Sequence, residues 1–368
     1  FKSSNNFNSS LFLFDEQNNQ LELGPDFINN SVYEIKGFNL SSKYKLILGE
    51  FDFNINLDSS WFDLEYTDIT LGFENSPFNF VPTLAIKYKA SKVDNFAFIY
   101  SRNIINLPID YVLPNFIQTG FDFLQRGSNS TSQERTNFFL FDYKRGDWTK
   151  DFLFNGQLLY ANGENAIGNI LEISQSFTTL SRAFFSNQNT FNGNASLDRY
   201  FKFLKSNLKL NISYTKNWTD DILNGVEREI NGQTTNISLE MRSAFDVFNY
   251  HFGIRSSLSK IETTTESENA YLYNFLDLSL NFSKKGTISL ENEYYSFRNS
   301  TNQNADFLFT DLAANYILKK NKLNLNLSAR NLWNTESASF VFLNDFSRSE
   351  FNYTLFPRIF MIGLDYRF

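Results

Sequence analysis

Hydrophobic and polar residues alternate with a period of two along most of this chain. From Leu276 to Phe282, three leucines and one phenylalanine alternate with Asp277, Ser279 and Asn281. Successive side chains of an extended strand point to opposite faces, so this pattern predicts β-strands with one apolar and one polar face. The segments with this alternation are 47–57, 62–66, 84–90, 96–100, 208–214, 276–282, 323–329 and 360–368.

Polar connections of two lengths separate the alternating segments. Lys284–Gly286 and Lys319–Lys322 are short, whereas we expect long loops at Gly127–Arg135, Thr263–Asn269 and Asn299–Asp306. Short turns at one end and long loops at the other are typical of outer-membrane β-barrels. A strand, a long loop, a second strand and a turn take about 45 residues here, so the chain predicts about 14–16 strands. With only six prolines and no Gly/Ser-rich linker, we expect one barrel domain over residues 1–368.

Composition narrows the class. The chain is 42% hydrophobic with 43 Phe and 18 Tyr, yet its mean hydropathy is −0.34. It has no apolar run of about 18 residues, so a transmembrane helix is excluded, whereas strands of about 9–11 residues suffice to cross a membrane. The sequence therefore predicts an all-β protein, a transmembrane antiparallel β-barrel in contact with the lipid of a Gram-negative outer membrane.

Charge and cysteine content exclude fewer classes of protein than hydrophobicity does. The net charge is −7 and no basic run is present, which argues against nucleic acid as a partner. Cysteine is absent. This is compatible with an oxidising periplasm but is also common in cytosolic proteins.

Tryptophans flank several alternating segments. Trp61, Trp148, Trp218 and Trp333 each lie near a strand end. Such rings favour the membrane–water interface, where an apolar body meets a polar tip. We predict an interfacial girdle, although a soluble β-sandwich core would use the same residue types.

The C-terminal strand carries a separate prediction. Phe360, Ile362, Leu364, Tyr366 and Phe368 share one face of it. This alternation and the terminal aromatic resemble the signal that the outer-membrane barrel-assembly machinery reads. Pairing of an exposed strand edge with a template edge is the physical basis that we expect for that recognition.

The end of the chain resembles TonB-dependent receptors, in particular the nutrient importers among them. The resemblance rests on Leu323–Thr335, where alternating leucines precede Asn-Leu-Trp-Asn-Thr, and on Tyr353–Phe368, with Pro357-Arg358 before the last strand. A weaker resemblance lies in 107–127. Receptors of this family have barrels of about 22 strands and an N-terminal plug that contacts TonB. The resemblance implies that this chain is the C-terminal 14–16 strands of such a barrel, without the plug or the signal peptide. A smaller plugless barrel that shares only the ending is the alternative.

The resemblance implies uptake of a nutrient, with TonB acting through a plug and with a surface lipoprotein or other envelope subunits as possible partners. Two alternatives stay open. The barrel could be a non-transporting subunit of an outer-membrane assembly or secretion complex, or a passive porin.

The sequence offers little catalytic chemistry. His251 is the single histidine, and no distinctive serine or acid spacing accompanies it. Asp63, Glu65, Glu291 and Glu293 occupy alternating strand positions without a metal-binding spacing. We therefore expect no enzyme activity, no cofactor and no metal site, and we interpret these acids as side chains of a wet lumen.

Overall fold

The structure is a computed structural model that describes residues 1–14, 20–69, 71–147, 151–186, 188–301, 304–320, 322–343 and 347–367. Two predicted residues, Trp148 and Phe368, lie outside these ranges. Nearly all described elements are strands, and three short helical turns interrupt them.

The strands of the N-terminal half are β1 Lys2–Ser10, β2 Phe12–Phe14, β3 Gln20–Glu22, β4 Ile28–Leu48, β5 Phe51–Thr67, β6 Gly72–Asn75, β7 Phe78–Lys89, β8 Asp94–Asn106, β9 Ile117–Gly120, β10 Phe123–Gln125, β11 Gln133–Asp147, β12 Phe152–Ile173 and β13 Thr178–Phe185. Those of the C-terminal half are β14 Gln188–Phe201, β15 Ser206–Leu223, β16 Val226–Ser243, β17 Phe248–Glu262, β18 Glu266–Ser283, β19 Gly286–Asn299, β20 Ala305–Lys319, β21 Leu323–Arg330, β22 Ser337–Leu343, β23 Arg348–Thr354 and β24 Ile359–Tyr366. One α-helical turn, α1, spans Ile109–Val112, and 3₁₀ turns span Pro25–Phe27 and Lys202–Leu204.

Most strands belong to one sheet of 20 strands. Its main ladder, which we call the wall, pairs each strand antiparallel with the next in the order β1, β4, β5, β7, β8, β11, β12, β14, β15, β16, β17, β18, β19, β20, β21 and β24. The predicted all-β antiparallel architecture is confirmed. The wall strands of the described residues match the predicted range of about 14–16.

The long connections all lie at one end of the wall, which also carries the two-residue β15–β16 turn and the three-residue β17–β18 turn. We call it the loop end, and its long connections are β5–β7, β8–β11, β12–β14 and β21–β24, which contain additional strands or helical turns. Seven short connections, at β4–β5, β7–β8, β11–β12, β14–β15, β16–β17, β18–β19 and β20–β21, occupy the opposite end.

All three expected loops are wrong in their bounds, because neighbouring strands extend into them. β11 begins at Gln133, β19 ends at Asn299 and β20 begins at Ala305. Residues 266–269 of the segment Thr263–Asn269 extend β18 instead, because Glu266 pairs with Glu262 across a three-residue turn.

The two faces of the wall differ in polarity. In β18, Leu278 faces the same side as its cross-strand neighbours Tyr250 and Leu290. The adjacent Ser279 faces the other side, opposite Ser289. Across these strands, residues of the apolar face pair with residues of the apolar face. The apolar side chains therefore form one continuous outer face. Large apolar residues of this face are exposed, with Ile212 at 41%, Ile254 at 43% and Leu327 at 41%.

Buried apolar residues are few among the described residues, and most of them lie at the loop end. One cluster joins Tyr33, Leu64 and Tyr66 of the wall to Leu107, Val112 and Leu113 of the β8–β11 connection. No helix of the described residues is long and apolar enough to cross a membrane.

Candidate functional site

The polar face of the wall is concave and borders a cavity. A cavity of about 480 Å³ lies against polar side chains from β11 to β18, among them Asp142, Gln157, Asn194, Ser213 and Arg255. A second cavity of about 920 Å³ lies against Lys209, Glu240, His251 and Asp277. One face of a curved sheet thus encloses a polar space, which we call the lumen, while the apolar face is convex.

The β8–β11 connection folds into the loop end of the lumen. Tyr66 and Asp52 lie on the same face of β5. Successive cross-strand pairs connect Asp52 to Lys87, Ala97 and Asp142, and the side chain of Asp142 borders the lumen. Leu64 and Tyr66 are therefore lumen residues, yet both are 0% exposed. Their cluster partners include Leu107, Val112 and Leu113 of residues 107–127, which we call the inner segment. Tyr66 also stacks on Phe73 of β6 at 4.5 Å.

The inner segment contributes its own apolar residues to this contact. Val112 and Leu113, at the end of α1, are fully buried, and Leu107 nearly so. Phe62, Ile167 and Phe184 pack around the cluster. Burial of such side chains contributes about 1.5–3 kcal/mol each. The inner segment is thus held by a small hydrophobic core inside a polar lumen.

Asp68 is the polar centre of the same contact. Its Oδ2 accepts hydrogen bonds from Ser31 Oγ at 3.1 Å, Tyr66 OH at 3.3 Å and Asn115 Nδ2 at 3.4 Å. Asn115 Nδ2 also donates to the carbonyl oxygen of Ile28 at 2.8 Å. Asn115 therefore ties the inner segment directly to β4 and, through Asp68, to the end of β5.

Two tyrosines stay protonated in this contact. Burial raises the pKa of the Tyr33 phenol to about 12. The pKa of Tyr66 is also raised, chiefly by burial. Both residues lie beyond the apolar band of β4 and β5, which spans residues 38–48 and 51–61. Since an ionised phenol could not donate to Asp68, this arrangement requires the neutral form of Tyr66.

Gly127 closes the inner segment on itself. Its amide donates to the carbonyl oxygen of Leu113 at 2.7 Å. The amide of Ser128 donates to the carbonyl oxygen of Tyr111, also at 2.7 Å. A Cβ at position 127 would lie 2.4 Å from the carbonyl carbon of Tyr111 and 2.7 Å from the nitrogen of Leu113. Only glycine fits there, so the two ends of the segment meet because residue 127 lacks a side chain.

Two arginines connect the inner segment to β13. Arg126 Nε donates to Ser181 Oγ at 2.8 Å, and its guanidinium lies 4.8 Å from the ring centre of Phe116. Arg182 lies over Tyr111 at 4.7 Å. The segment is thereby held from both sides of the loop end.

Of the predicted interfacial tryptophans, the three described ones lie in the loop-end half of their strands or beyond it. Trp61 is 47% exposed and packs between Phe38 and Phe78 on the outer face. Trp218 lies 4.7 Å from Lys216 Nζ on the same strand. Trp333 is 62% exposed, and its Nε1 donates to Thr310 Oγ1 at 2.7 Å. Their girdle role stays a prediction.

A second aromatic row was missed by sequence reasoning. It lies on the outer face near the short-turn end and joins Phe51 to Tyr88 at 4.6 Å, and Phe96 to Tyr143 at 4.5 Å. Tyr88 and Phe96 connect the two pairs at 6.2 Å. The sequence signal that could have predicted this row is the position of its residues, because Phe51 and Phe96 are among the first outward residues after short turns. Rings at this level are suited to a membrane interface.

Four of the five predicted C-terminal residues, Phe360, Ile362, Leu364 and Tyr366, lie in the last strand of the wall. Leu364 pairs with Leu325, and Ile362 pairs with Leu327. Phe360, Ile362, Leu364 and Tyr366 are 69%, 79%, 65% and 56% exposed, more than equivalent residues in the middle of the wall. The difference arises because β24 has a described register with β21 alone. These contacts do not test recognition by the assembly machinery, which stays a prediction.

Of the polar candidates, His251, Glu291 and Glu293 line the lumen. The predicted lumen position of Asp63 and Glu65 is wrong, because both lie on the same face of β5 as Trp61, where they pair with Lys36 at 4.0 and 3.5 Å.

His251 Nδ1 lies 3.4 Å from Asp277 Oδ2, and its ring packs edge-on against Phe275. Asp277, Glu291 and Asp311 are direct neighbours across β18, β19 and β20. Three carboxylates in one row repel one another, which a wet lumen tolerates. Among the described residues, no group of three or more acidic, histidine or cysteine side chains is placed to hold a metal ion.

Comparisons with known proteins give weak likenesses only. No family model matches the chain, and no curated protein matches it. Among solved structures, it is similar to OmpT, an outer membrane protein of Vibrio cholerae, with 9% identity and a TM-score of 0.30 over 92% of this chain and 97% of that one. It is also similar to the copper transporter OprC, with 8% identity and a TM-score of 0.28 over 99% of this chain and 75% of that one. Likenesses at this level assign no function to the chain.

Proposed function

We propose that this chain forms the wall of an outer-membrane β-barrel that moves a polar solute, as a TonB-dependent nutrient receptor does. The observation that carries the proposal is the division of the wall into a continuous apolar outer face and a polar concave face. Such a division is expected where lipid lies outside and water inside.

The inner segment supports a transport role for the lumen. It occupies the loop end, where an incoming solute would enter, and its contacts with β4, β5 and β13 fix its position. A segment anchored in the mouth narrows the path and adds its own side chains to those that a solute meets. In the TonB-dependent form of the proposal, energy arrives through a plug that is not part of this chain.

A passive porin is the second candidate. The lumen cavity between β11 and β18, about 480 Å³, is not filled by the inner segment in the described part of the chain. A polar lumen that stays open favours diffusion without energy input.

An uptake experiment in cells separates these functions. The gene is deleted, and the uptake of a panel of labelled peptides, oligosaccharides and metal chelates is measured with and without a protonophore. For the receptor, deletion removes uptake of one class, and the protonophore has the same effect in the undeleted strain. Uptake that is lost on deletion but insensitive to the protonophore indicates a porin. Uptake of all solutes at the parental rate after deletion contradicts the transport proposal.

A further inference from the structure

The β22–β23 hairpin lies against the lumen face of the wall at the loop end. Asn269 of β18 pairs with Asn299 of β19, and both lie on the face that Tyr271 turns to the lumen cavity. Their side chains bond to the backbone of β22. In the described part of the chain, β22 pairs with β23 alone, so side chains of the wall hold its other edge.

The two asparagines contact this edge with the spacing of an extended chain. Asn269 Nδ2 donates to the Leu343 carbonyl oxygen at 2.8 Å, and the Leu343 amide donates to Asn269 Oδ1 at 3.1 Å. Asn299 Nδ2 donates to the carbonyl oxygen of Val341 at 3.2 Å. Residues 341 and 343 present their backbone groups to the same side, as every second residue of a strand does. All three bonds go to backbone atoms, so they do not depend on the side chains of the bound strand.

The Asn299 side chain is oriented by its own strand end. Its Oδ1 accepts hydrogen bonds from the Thr301 amide at 3.1 Å and from Thr301 Oγ1 at 2.8 Å. These bonds engage the oxygen of the side-chain amide, so its nitrogen is directed to β22. Such preorganisation reduces the entropy that is lost when a chain binds.

An aromatic contact lies next to the two asparagines. Phe340 of β22 stacks on Phe297 of β19, with ring centres 4.3 Å apart and an angle of 6° between the rings. Tyr271 packs against Phe297 at 5.0 Å and supports it from the wall. The wall therefore offers a ring to one residue of an extended chain and amides to the residues that follow it.

The base of the hairpin is fixed separately from these contacts. Asn331 Nδ2 donates to the carbonyl oxygens of Thr335 and Phe356, both at 2.9 Å, and so joins the two legs of the connection. Asn331 and Thr335 are the ends of the Asn-Leu-Trp-Asn-Thr segment. Because the base does not depend on Asn269 or Asn299, the hairpin can leave the wall while its base stays in place.

We propose that Asn269, Asn299 and Phe297 form a binding site for an extended peptide, and that β22 occupies this site as a built-in substitute. The peptide has an aromatic residue where β22 has Phe340, and its backbone bonds to the asparagines one and three residues later. Its binding displaces the hairpin and opens the loop end of the lumen. A sugar lacks the regularly spaced N–H and C=O groups that fit the two asparagines. The inference rests on the transport proposal and deepens it by naming peptides as the solute.

Competition between the hairpin and an added peptide tests the proposal. The probe is a fluorescein-labelled peptide amide, Ala-Ser-Phe-Val-Phe-Leu, which copies residues 338–343. Its binding to the purified protein in detergent is measured by fluorescence anisotropy, and heat-modifiable migration verifies that each variant is folded. One control peptide has alanine in place of the first phenylalanine. The other has an N-methyl group on the leucine, which removes the N–H that Asn269 Oδ1 accepts.

Phe340→Ala in the protein is expected to tighten binding of the probe about tenfold, because it weakens the built-in competitor. Phe342→Ala is the matched control, since Phe342 lies on the same strand but is 47% exposed, and it should leave the affinity unchanged. Asn269→Ala added to Phe340→Ala should weaken binding about tenfold, because two hydrogen bonds to the probe are lost. Both control peptides should bind the Phe340→Ala protein more weakly than the probe does.

Absence of probe binding to folded Phe340→Ala protein would overturn the proposal. Equal binding of the N-methyl peptide, or binding that Asn269→Ala does not weaken, would overturn it too, because the probe would then bind elsewhere. These results do not depend on uptake by cells. Parental uptake after deletion of the gene contradicts the transport proposal, whereas loss of peptide binding contradicts the peptide site alone, so the two failures are distinguishable.

Discussion

At the scale of single residues, Gly127 holds the inner segment closed. The backbone of Tyr111 and Leu113 passes so close to Gly127 that a Cβ there would overlap backbone atoms, which cannot rotate away. The two hydrogen bonds that close the segment, from the amides of Gly127 and Ser128, depend on this approach.

Gly127→Ala is expected to release the inner segment without unfolding the wall. Overpacking of this kind destabilises by about 1–3 kcal/mol, and here the loss falls on the segment and its cluster with Leu64 and Tyr66. Hydrogen exchange of the 107–127 amides should accelerate, while exchange in β15–β19 stays unchanged. Gly232→Ala is the matched control, because a Cβ at that strand position meets no atom within 4 Å. Unchanged exchange in Gly127→Ala would contradict the close packing.

At the scale of the strand, neighbouring residues have opposite requirements. Leu278 and Ser279 are adjacent in β18, but Leu278 lies on the outer face beside Tyr250 and Leu290, and Ser279 lies on the lumen face. Substitution by one charged residue at each position therefore tests the two-faced wall directly.

Leu278→Lys should destabilise the folded protein in lipid by about 2–4 kcal/mol, the range for a lysine on the lipid face at the membrane midplane. Ser279→Lys should change stability much less, because the lysine remains in water. The measurement is reversible unfolding by denaturant in lipid vesicles, followed by tryptophan fluorescence. Equal destabilisation by the two variants would mean that the faces are misassigned.

Strand periodicity predicted much of the wall, whereas it could not predict the position of the inner segment. The alternation around Leu278 depends on local contact with two media, so it can be read from neighbouring residues. The burial of Leu64 and Tyr66 depends on Val112 and Leu113, about 50 residues away in sequence, and no period marks that contact. The same limit explains the wrong bound at Thr263–Asn269, where polar residues expected in a loop form strand ends that extend beyond the apolar band.

At the scale of the whole molecule, the wall is an ordered ladder whose last strand differs from all those inside it. β24 has a described register with β21 alone, and its residues Phe360, Ile362 and Leu364 carry strongly exposed apolar side chains. A strand with those two properties can pair with a template edge and turn its side chains to lipid at the same time. That combination is the physical content of the predicted assembly signal.

Phe368→Asp, or deletion of Tyr366–Phe368, is therefore expected to prevent most of the protein from assembling in the outer membrane. In the sequence, Phe368 continues the apolar alternation of residues 360–366, so Phe368→Asp adds a charge to that pattern and the deletion shortens it, and both are expected to weaken strand pairing at the lipid boundary. Asp365→Asn is the matched control. Asp365 lies on the polar face beside Asn324, so the substitution leaves the apolar face of β24 unchanged. The measurement is the fraction of heat-modifiable, folded protein in outer-membrane preparations of cells that express each variant at equal total level. A parental fraction in Phe368→Asp and in the deletion would show that assembly does not read this strand.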